Sequence, residues 1–376
     1  MKFTMRLKIT LALLLLGSVI MTLDPNIIET SPSEGQRFRN EAPNTHSGEG
    51  NLPAILWRYV TERIPDKSPN QPLPIQSMQL PATADDTPML YKISHSTVLL
   101  QLNGQYWLTD PVFSKRASPS QWFGPKRFHT LPIELENIPA LAGIILSHDH
   151  YDHLDKQSVL ALAARTQKFI VPLGVDKHLI GWGIPKEKIV ALNWWQATEH
   201  QGVRFTATPA QHFSGRGLRD KNQTLWASWA IQSPELNIFF SGDSGYFDGF
   251  KKIGDKLGPF DLTLVETGAY DEMWADIHMQ PEQSLRAHLD LQGQYLIPIH
   301  NSSFDLALHS WYEPLERIAA AAKAYAVPLL TPEFGQGINL NELAHSPALN
   351  QGWWKSYLPK DRPEFEVVPV KLASNK

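Results

Sequence analysis

Cysteine is absent from the 376-residue chain. This absence excludes a disulfide framework and every thiolate metal site, so a bound transition metal would have to use nitrogen and oxygen ligands. A chain without thiols also suits an oxidising compartment. The length is sufficient for one large domain with a sizeable core, and it sets no particular oligomeric state, so an oligomer is neither required nor excluded.

An excess of positive charge is absent as well. The chain has 34 lysines and arginines against 38 aspartates and glutamates, which gives a formal net charge of −4. Proteins that bind nucleic acid through charge usually carry a basic patch or an overall positive charge. The composition therefore indicates that nucleic acid is not the partner.

A hydrophobic run of the usual transmembrane length is also missing near the N-terminus. Residues 9–23 are uncharged and mostly apolar, and Lys2, Arg6 and Lys8 precede them; a membrane span needs about 20 such residues. This pattern is typical of a secretory signal, but no small-residue cleavage site follows before Asp24, so a cleaved signal peptide and an uncleaved membrane anchor both stay open. Because the basic residues precede the apolar run, we predict an exported protein, periplasmic or membrane-anchored, with its catalytic domain outside the cytoplasm.

One short segment concentrates the side chains that bind metals: His148, Asp149, His150, Tyr151, Asp152 and His153. The apolar residues 144–146 before it predict a buried strand, so the segment lies on a loop at the carboxyl end of a strand, where functional groups are common. His148 and His150 can bind one ion, whereas Asp152 and His153 suit a second ion beside it. Imidazole and carboxylate ligands together favour zinc.

Three more residues at predicted strand ends extend this set. Two zinc ions need roughly seven protein ligands, and His212, Asp243 and His300 each follow a strand-like segment further along the chain. Taken singly, each of them is more often a structural residue than a ligand. As an ordered group behind the histidine-rich loop, they are predicted as ligands.

The order His-x-His-x-Asp-His, then His, Asp and His, resembles that of the metallo-β-lactamase superfamily. Within this superfamily the chain is similar to the N-acyl-phosphatidylethanolamine-hydrolysing phospholipase D family over about residues 35–335. The segments that carry this second likeness are residues 108–119, 124–128, 208–212, 225–229, 241–246 and 268–270, together with Trp274 and His278.

The resemblance implies a complete site for two Zn²⁺ ions per chain. One ion would be held by His148, His150 and His212, the other by Asp152, His153 and His300, with Asp243 bridging the two. A hydroxide bound between the zinc ions would attack the substrate, so no serine or cysteine nucleophile is needed.

The resemblance also implies an α/β fold, the four-layer αββα sandwich of the superfamily. Alternating strand-like and helix-like segments agree with two sheets that face each other with helices outside. We predict four segments: a signal peptide or membrane anchor over residues 1–23, a flexible tether over 24–52, a metallo-β-lactamase-like hydrolase domain over 53–340 and a C-terminal extension over 341–376.

The expected activity is that of a zinc-dependent phosphodiesterase of the phospholipase D type. Its substrate would be an N-acyl-phosphatidylethanolamine-like lipid or another phosphodiester. The protein would then be expected to associate with a membrane. Besides the catalytic carboxylates Asp152 and Asp243, His278 matches a family histidine near the substrate phosphate, where it could stabilise charge or donate a proton. Lys126 and Arg127 could contact the phosphate headgroup, or they could be ordinary solvated charges.

Two further polar residues are interpreted by their positions. Asp110 ends a predicted strand and is expected to orient a ligand imidazole; the alternative is a turn residue before Pro111. His95 could approach the metals from the first sheet or be a hydrogen-bonded core histidine, and it is left outside the predicted ligand set.

Three alternatives remain in view. A lactonase or another small-molecule metallohydrolase would use the same ligands, so the ligands alone do not exclude it. Residues 242–245 resemble the nucleophile loop of trypsin-like proteases, but Tyr246 replaces the next glycine and a catalytic triad has no use for the histidine-rich loop. A noncatalytic scaffold would be expected to lose ligands, and none is missing.

Overall fold

The computed structural model describes residues 37–42, 52–345, 347–350 and 352–360, together with residues 362, 365 and 369. The predicted signal or anchor over residues 1–23 lies outside the described residues, so export stays a prediction. In the part of the chain that is described, no helix combines the length and the apolar character needed to cross a membrane.

Six α-helices occur in the described residues. They are α1 Leu52–Thr61, α2 Lys156–Leu162, α3 Val175–Gly181, α4 Gly249–Leu257, α5 Pro281–Asp290 and α6 Glu313–Ala324. Three of them coincide with stretches whose residue pattern is typical of helices, residues 156–164, 283–291 and 315–326. Short 3₁₀ helices span Leu135–Asn137, Ala163–Arg165, Lys186–Lys188, Glu272–Trp274, Leu340–His345, Pro347–Asn350 and Trp353–Tyr357.

The first sheet has seven strands. They are β1 Met89–Ser94, β2 Thr97–Leu102, β3 Gln105–Thr109, β4 Leu141–Ile145, β5 Thr166–Pro172, β6 Ile189–Leu192 and β13 Gly337–Asn339, in the order β13-β1-β2-β3-β4-β5-β6. Asn103 and Gly104, a dipeptide typical of tight hairpin turns, join β2 to β3, and both have positive φ, 50° and 65°, as a type I′ turn requires. Strands β3 to β6 pair in parallel.

The second sheet has six strands. They are β7 Ala197–His200, β8 Val203–Thr208, β9 Ser228–Gln232, β10 Asn237–Phe240, β11 Phe260–Glu266 and β12 Gly293–Ile299, in the order β12-β11-β10-β9-β8-β7. Strands β10, β11 and β12 are parallel, and β8 runs in their direction because the antiparallel β9 separates it from β10.

The two sheets face each other across a common apolar core. Val98, Trp107 and Ile145 of the first sheet pack in one cluster with Phe205 and Trp229 of the second. Outside the first sheet, α2 and α3 cover a second apolar cluster, and α4, α5 and α6 cover a third on the outer face of the second sheet. The predicted four-layer αββα sandwich is confirmed.

The strand directions decide where the polar loops lie. In each sheet the carboxyl ends of parallel strands meet at the same edge. The loop after β4 carries the histidine-rich segment, and the loops after β8, β10 and β12 carry His212, Asp243 and His300. Across the sandwich, the indole Nε1 of Trp229 donates to the carbonyl oxygen of Leu146 at 3.0 Å, which ties the second sheet to the loop after β4.

The stretch of residues 37–42 differs from the flexible tether predicted over residues 24–52. Phe38 is 4% exposed and belongs to the core between the sheets, and its backbone N–H donates to the carbonyl oxygen of Asn222 at 2.8 Å. Asn40 accepts a hydrogen bond from the backbone N–H of His212 at 3.0 Å. These six residues are therefore packed against the domain, because the aromatic ring of Phe38 is buried in the core. The polar composition of the surrounding sequence does not reveal this contact.

The described part of the predicted C-terminal extension also packs on the domain. Leu349 is buried in the core between the sheets. Trp354 is buried, and its indole Nε1 donates to Glu316 of α6 at 2.7 Å. This stretch covers apolar surface of the sandwich.

The buried position of Phe38 predicts a stability effect. Phe38→Ala is expected to lower the free energy of unfolding by about 3–5 kcal/mol, because it leaves a cavity in the core. Trp57→Ala is a matched aromatic control: the Trp57 side chain is 69% exposed, so a change within about 0.5 kcal/mol is expected. Urea unfolding of the full chain measures both, and an unaffected Phe38→Ala variant would show that residues 37–42 are not docked in solution.

Candidate metal centre

The predicted ligands converge into two adjacent groups of ligand atoms, each within 4.8 Å of one another: His148, His150, His212 and Asp243, and His95, Asp152, His153 and His300. A third, smaller group of Asp243, His278 and His300 overlaps both. The structure thus brings all seven predicted ligands together, and it adds one imidazole that the prediction left out.

The first group is built by rings from two loops. Nε2 of His148 lies 2.9 Å from Nδ1 of His150, and Nε2 of His212 lies 3.3 Å from the same atom. Oδ2 of Asp243 is 3.8 Å from Nε2 of both His148 and His212. Three imidazole nitrogens and one carboxylate oxygen therefore surround a single point, as a four-coordinate site requires.

Asp243 connects this first group to the second. Its Oδ2 lies 3.1 Å from Nε2 of His300, and its Oδ1 lies 3.0 Å from Nε2 of His153. Asp152 completes the second group, with Oδ2 at 3.3 Å from Nε2 of His300 and 3.5 Å from Nε2 of His153. The side chain of Asp243 is 2% exposed, so both of its oxygens are available only to this cluster.

The approach of Asp243 depends on the residue before it. Gly242 has φ 55°, and a Cβ atom added there would lie 2.4 Å from Cβ of Ser147. Only glycine fits this backbone conformation and this contact between the loops of the two sheets. His300 also has a positive φ, 62°, a strained conformation that is enriched at functional sites.

The hydrogen-bond partners of Nδ1 in His153 and His212 show which ring nitrogen carries the hydrogen. Nδ1 of His153 is 2.7 Å from Oδ2 of Asp110, and Nδ1 of His212 is 2.9 Å from the carbonyl oxygen of Ile277. Because a carboxylate and a carbonyl only accept, Nδ1 of each ring carries a hydrogen, and Nε2 of each neutral ring presents a lone pair to the cluster.

A bound cation would compensate buried atoms of this cluster that have no hydrogen-bond partner. Nε2 of His153 and Oδ1 of Asp243 are buried and have no hydrogen-bond partner among the described residues, although they are 3.0 Å apart. A lone pair that faces a carboxylate oxygen at this distance is unfavourable unless positive charge lies with them. The donor set of imidazole and carboxylate therefore fits a divalent metal of the zinc type.

The electrostatics of the protein point the same way. Burial and the neighbouring His153 hold the pKa of His148 well below its usual range. Burial also opposes a charged His300, but the charge of Asp243 and hydrogen bonds to Asp152 and Asp243 outweigh it and raise its pKa to about 10. The pKa of His153 is raised well above its usual range in spite of burial, because the same two carboxylates lie beside it. Positive charge is favoured between the carboxylates, where a metal ion would bind.

Asp110 orients two of the rings. Besides accepting from His153, its Oδ1 accepts from the backbone N–H of Ser147 at 2.7 Å, and its Oδ2 accepts from the Ser147 hydroxyl at 2.6 Å. The oxygen of that hydroxyl lies 2.9 Å from Nδ1 of His148. Asp110 thus contacts one predicted ligand directly and a second through Ser147, which is the geometry that its predicted role requires.

His95, which was left outside the predicted ligand set, contacts the second ligand group. Its Nε2 is 3.2 Å from Oδ2 of Asp152, and its ring centroid is 3.9 Å from that of His300. It reaches the cluster from the short turn between β1 and β2, and its backbone carbonyl accepts from the N–H of His300 at 3.0 Å. The first sheet therefore supplies an imidazole to the second group.

His278 is held by a glutamate that sequence reasoning missed. Nδ1 of His278 lies 2.5 Å from Oε1 of Glu266, the last residue of β11. The ring also stands 5.3 Å from that of His300. Burial lowers the pKa of His278 to about 4, whereas burial and the charge of Asp243 raise the pKa of Glu266 well above its usual range. The signal in the sequence that could have identified Glu266 is its position. It is an acidic residue at the carboxyl end of a buried strand, and the loops after the two neighbouring strands in the sheet carry predicted ligands.

The two cations predicted to contact a phosphate are placed differently. Lys126 is exposed on the surface. Arg127 is buried, and its guanidinium donates to the carbonyl oxygens of Val112 and Ser114, at 2.9 Å and 2.5 Å, and to the hydroxyl of Ser94. The hydrogen bonds of Arg127 thus support the loop around residue 114, and the protein's own oxygen atoms already occupy the guanidinium that was predicted to contact a phosphate.

An apolar region borders the cluster on the side of His150 and His212. The ring of Phe213 lies 4.5 Å from that of His150 and 4.8 Å from that of His212. Phe213 is partly buried and packs with an apolar cluster that includes Trp274 and Ile277. Aromatic and aliphatic side chains therefore form a wall beside the metal centre.

Comparison with known proteins identifies relatives of this chain. A model described as the β-lactamase superfamily domain matches residues 106–301. An uncharacterized protein of Mycobacterium tuberculosis is 42% identical over 308 residues, 81% of each chain. N-acyl-phosphatidylethanolamine-hydrolyzing phospholipase D 1 of Caenorhabditis elegans is 36% identical over 239 residues, 60% of this chain and 67% of that protein.

Solved structures agree at the level of the fold. A metallo hydrolase from the archaeon Ignicoccus hospitalis superposes with a TM-score of 0.52 at 20% identity and covers 67% of this chain and 97% of its own. At this identity the likeness concerns the arrangement of strands and helices.

The geometry predicts an order of effects for two carboxylates. Asp243→Asn is expected to remove more metal and more activity than Asp110→Asn, because Asp243 faces both ligand groups whereas Asp110 holds the rings from behind and its loss typically costs about 10–100-fold. Asp86→Asn, at an exposed aspartate, is the control and should keep full metal content. Elemental analysis and zinc titration against a chelator give the values, and equal, mild losses for Asp243 and Asp110 would contradict the bridging assignment.

Proposed function

Because the chain belongs to the metallo-β-lactamase superfamily and is a metal-dependent hydrolase, we propose that it is a dizinc phosphodiesterase of the phospholipase D type. The proposed substrates are N-acyl-phosphatidylethanolamine-like lipids. The relatives named as N-acyl-phosphatidylethanolamine-hydrolyzing phospholipases D, in Caenorhabditis elegans and Saccharomyces cerevisiae, support this choice.

The metal-holding part of the proposal follows from the two groups of ligands. His148, His150 and His212 would hold one ion, Asp152, His153 and His300 would hold the other, and Asp243 would contact both. These seven residues are the predicted ligand set. When bound, two zinc ions lower the pKa of water towards neutrality and neutralise charge on the attacked group. Asp110 keeps the rings of His148 and His153 turned towards the cluster, so their lone pairs need no reorientation when the ions bind.

The observation that carries the phosphodiester part is the position of His278. One ring nitrogen of His278 lies within 4.8 Å of ligand atoms of Asp243 and His300, yet both ligand groups are complete without it. Its side chain is 12% exposed, so a substrate can reach the ring. A phosphodiester carries negative charge throughout the reaction and releases an alcohol, so a proton donor at this point has a direct task.

The apolar wall beside the metal centre supports a lipid rather than a small polar diester. Phe213, Trp274 and Ile277 form part of one apolar cluster next to the rings of His150 and His212. Acyl chains that pack against such a surface contribute about 0.8 kcal/mol per buried methylene.

The proposed substrate class predicts a dependence on acyl length. Zinc-loaded protein should cleave N-acyl-phosphatidylethanolamines faster as the acyl chains lengthen, because more methylene groups are buried in the bound state. The same preparation is compared on generic phosphodiesters, lactones and β-lactams, with chelator-treated protein as the control. Activity that is flat across chain length, together with faster cleavage of a lactone or lactam, would replace the lipid phosphodiesterase by a lactonase or another small-molecule metallohydrolase.

A second prediction separates substrate contact from metal binding. His278→Ala should lower phosphodiester turnover by roughly 10²–10⁴-fold, the usual contribution of a general acid, while the metal content stays at the wild-type value. His200→Ala changes a histidine on the edge strand β7 and should leave both quantities unchanged. A His278→Ala variant that loses metal would instead make His278 a ligand.

A further inference from the structure

Glu266 is a buried acid that the metal centre does not use. It ends β11, its side chain is fully buried, and its ligand atoms are absent from all three candidate metal-binding groups of the described residues. Burying a carboxylate is costly unless a partner compensates it. Oε1 of Glu266 lies 2.5 Å from Nδ1 of His278, so this imidazole is a partner of the buried carboxyl group.

The carboxyl group of Glu266 is held in place from several sides. Its Oε2 accepts from the backbone N–H of Ser244, directly after Asp243, at 2.5 Å. Its own backbone N–H donates to the hydroxyl of Ser241 at 2.8 Å, and its carbonyl oxygen accepts from the hydroxyl of Ser284 at 2.6 Å. With one oxygen fixed by Ser244, the other is aimed at Nδ1 of His278.

The contact determines which nitrogen of His278 faces the reaction. Since Nδ1 is bonded to Oε1 of Glu266, Nε2 is the nitrogen that remains for a substrate. The rings of His153 and His212 are also held through Nδ1, by Asp110 and by the carbonyl of Ile277. Nε2 of those two rings presents a lone pair to a metal, whereas a proton donor carries a hydrogen on Nε2. Glu266 therefore orients the ring of His278 through Nδ1, as Asp110 orients the ring of a predicted metal ligand. The ring that Glu266 orients lies outside the predicted ligand set.

We propose that Glu266 is a positioning residue that makes His278 the proton donor to the leaving alcohol. This inference rests on the proposed phosphodiesterase function. The hydrogen bond to Oε1 keeps the ring from rotating, and a carboxylate at Glu266 stabilises the doubly protonated ring, whose Nε2 proton is shared with the departing oxygen. The negative charge of a bound phosphodiester acts in the same direction and opposes the burial that lowers the pKa of His278 to about 4 in the free protein.

The step balances as a hydrolysis. The oxygen of water forms a new bond to phosphorus while the bond between phosphorus and the alcohol oxygen breaks. The bonding electron pair passes to the alcohol oxygen, which takes the proton from Nε2 of His278. The attacking water releases one proton to solvent, and the ring regains a proton from solvent before the next turnover.

The leaving group provides the test. We compare wild type, Glu266→Gln, His278→Ala and the double variant on aryl phosphodiesters whose phenols range from 4-nitrophenol to unsubstituted phenol. A weakly basic nitrophenolate departs without a proton, so Glu266→Gln should leave its release nearly unchanged. On the phenyl ester the same variant should lose about 10–100-fold, as other orienting partners do. The double variant should be no slower than His278→Ala, because Glu266 acts through that ring.

A matched control addresses a merely structural role. Glu282→Gln removes another buried glutamate carboxylate, which pairs with Arg317 at 2.6 Å instead of an imidazole. It should lower stability without changing the dependence on the leaving group. Glu266→Asp keeps the charge but withdraws it by one methylene, and it replaces Glu266→Gln if the latter does not fold.

A spectroscopic readout is independent of turnover. The ring N–H proton between His278 and Glu266 should give a downfield ¹H NMR signal in metal-free protein, and Glu266→Gln should shift it while His278→Ala removes it. Equal losses on all esters, or additive losses in the double variant, would overturn the role of Glu266 while leaving the phosphodiesterase in place. A wild type that cleaves none of the phosphodiesters would overturn the proposed function and this inference together.

Discussion

The carboxylate of Asp243 is the group around which the metal centre is arranged. Its two oxygens face imidazoles of both ligand groups, His148 and His212 on one side and His153 and His300 on the other. Such a buried convergence of lone pairs and negative charge is stable only with a cation. The surrounding structure serves this constraint: Gly242 lets two loops approach, and Asp110 and the carbonyl of Ile277 hold the rings.

The αββα sandwich explains how one carboxylate can face so many rings. Loops from both sheets meet at one edge, and the packing of Trp229 against the loop after β4 fixes the distance between the sheets at that point. Residues 37–42 add a contact from the N-terminal side, since Asn40 accepts from the backbone of His212. A rigid scaffold therefore positions ligands that come from distant parts of the chain.

The proposed function depends on the residues that lie beside the metal ligands. The ligand groups are compatible with several hydrolases of the superfamily, because the same donors serve lactones, lactams and phosphodiesters. His278, held by Glu266, and the apolar wall around Phe213 are the features on which the proposed lipid phosphodiesterase activity rests. Both lie outside the ligand set, where chemistry and substrate choice can change without disturbing the metal.

The sequence by itself determined the histidine-rich loop, the order of the later ligands and the alternation of strands and helices, because ligand type and hydrophobic periodicity are local properties. The tertiary structure alone decided which side chains meet. It buried Arg127 against backbone carbonyls, packed Phe38 between the sheets and joined Glu266 to His278. These outcomes depend on desolvation and on partners supplied by other strands, and neither can be read from a residue's neighbours in the chain.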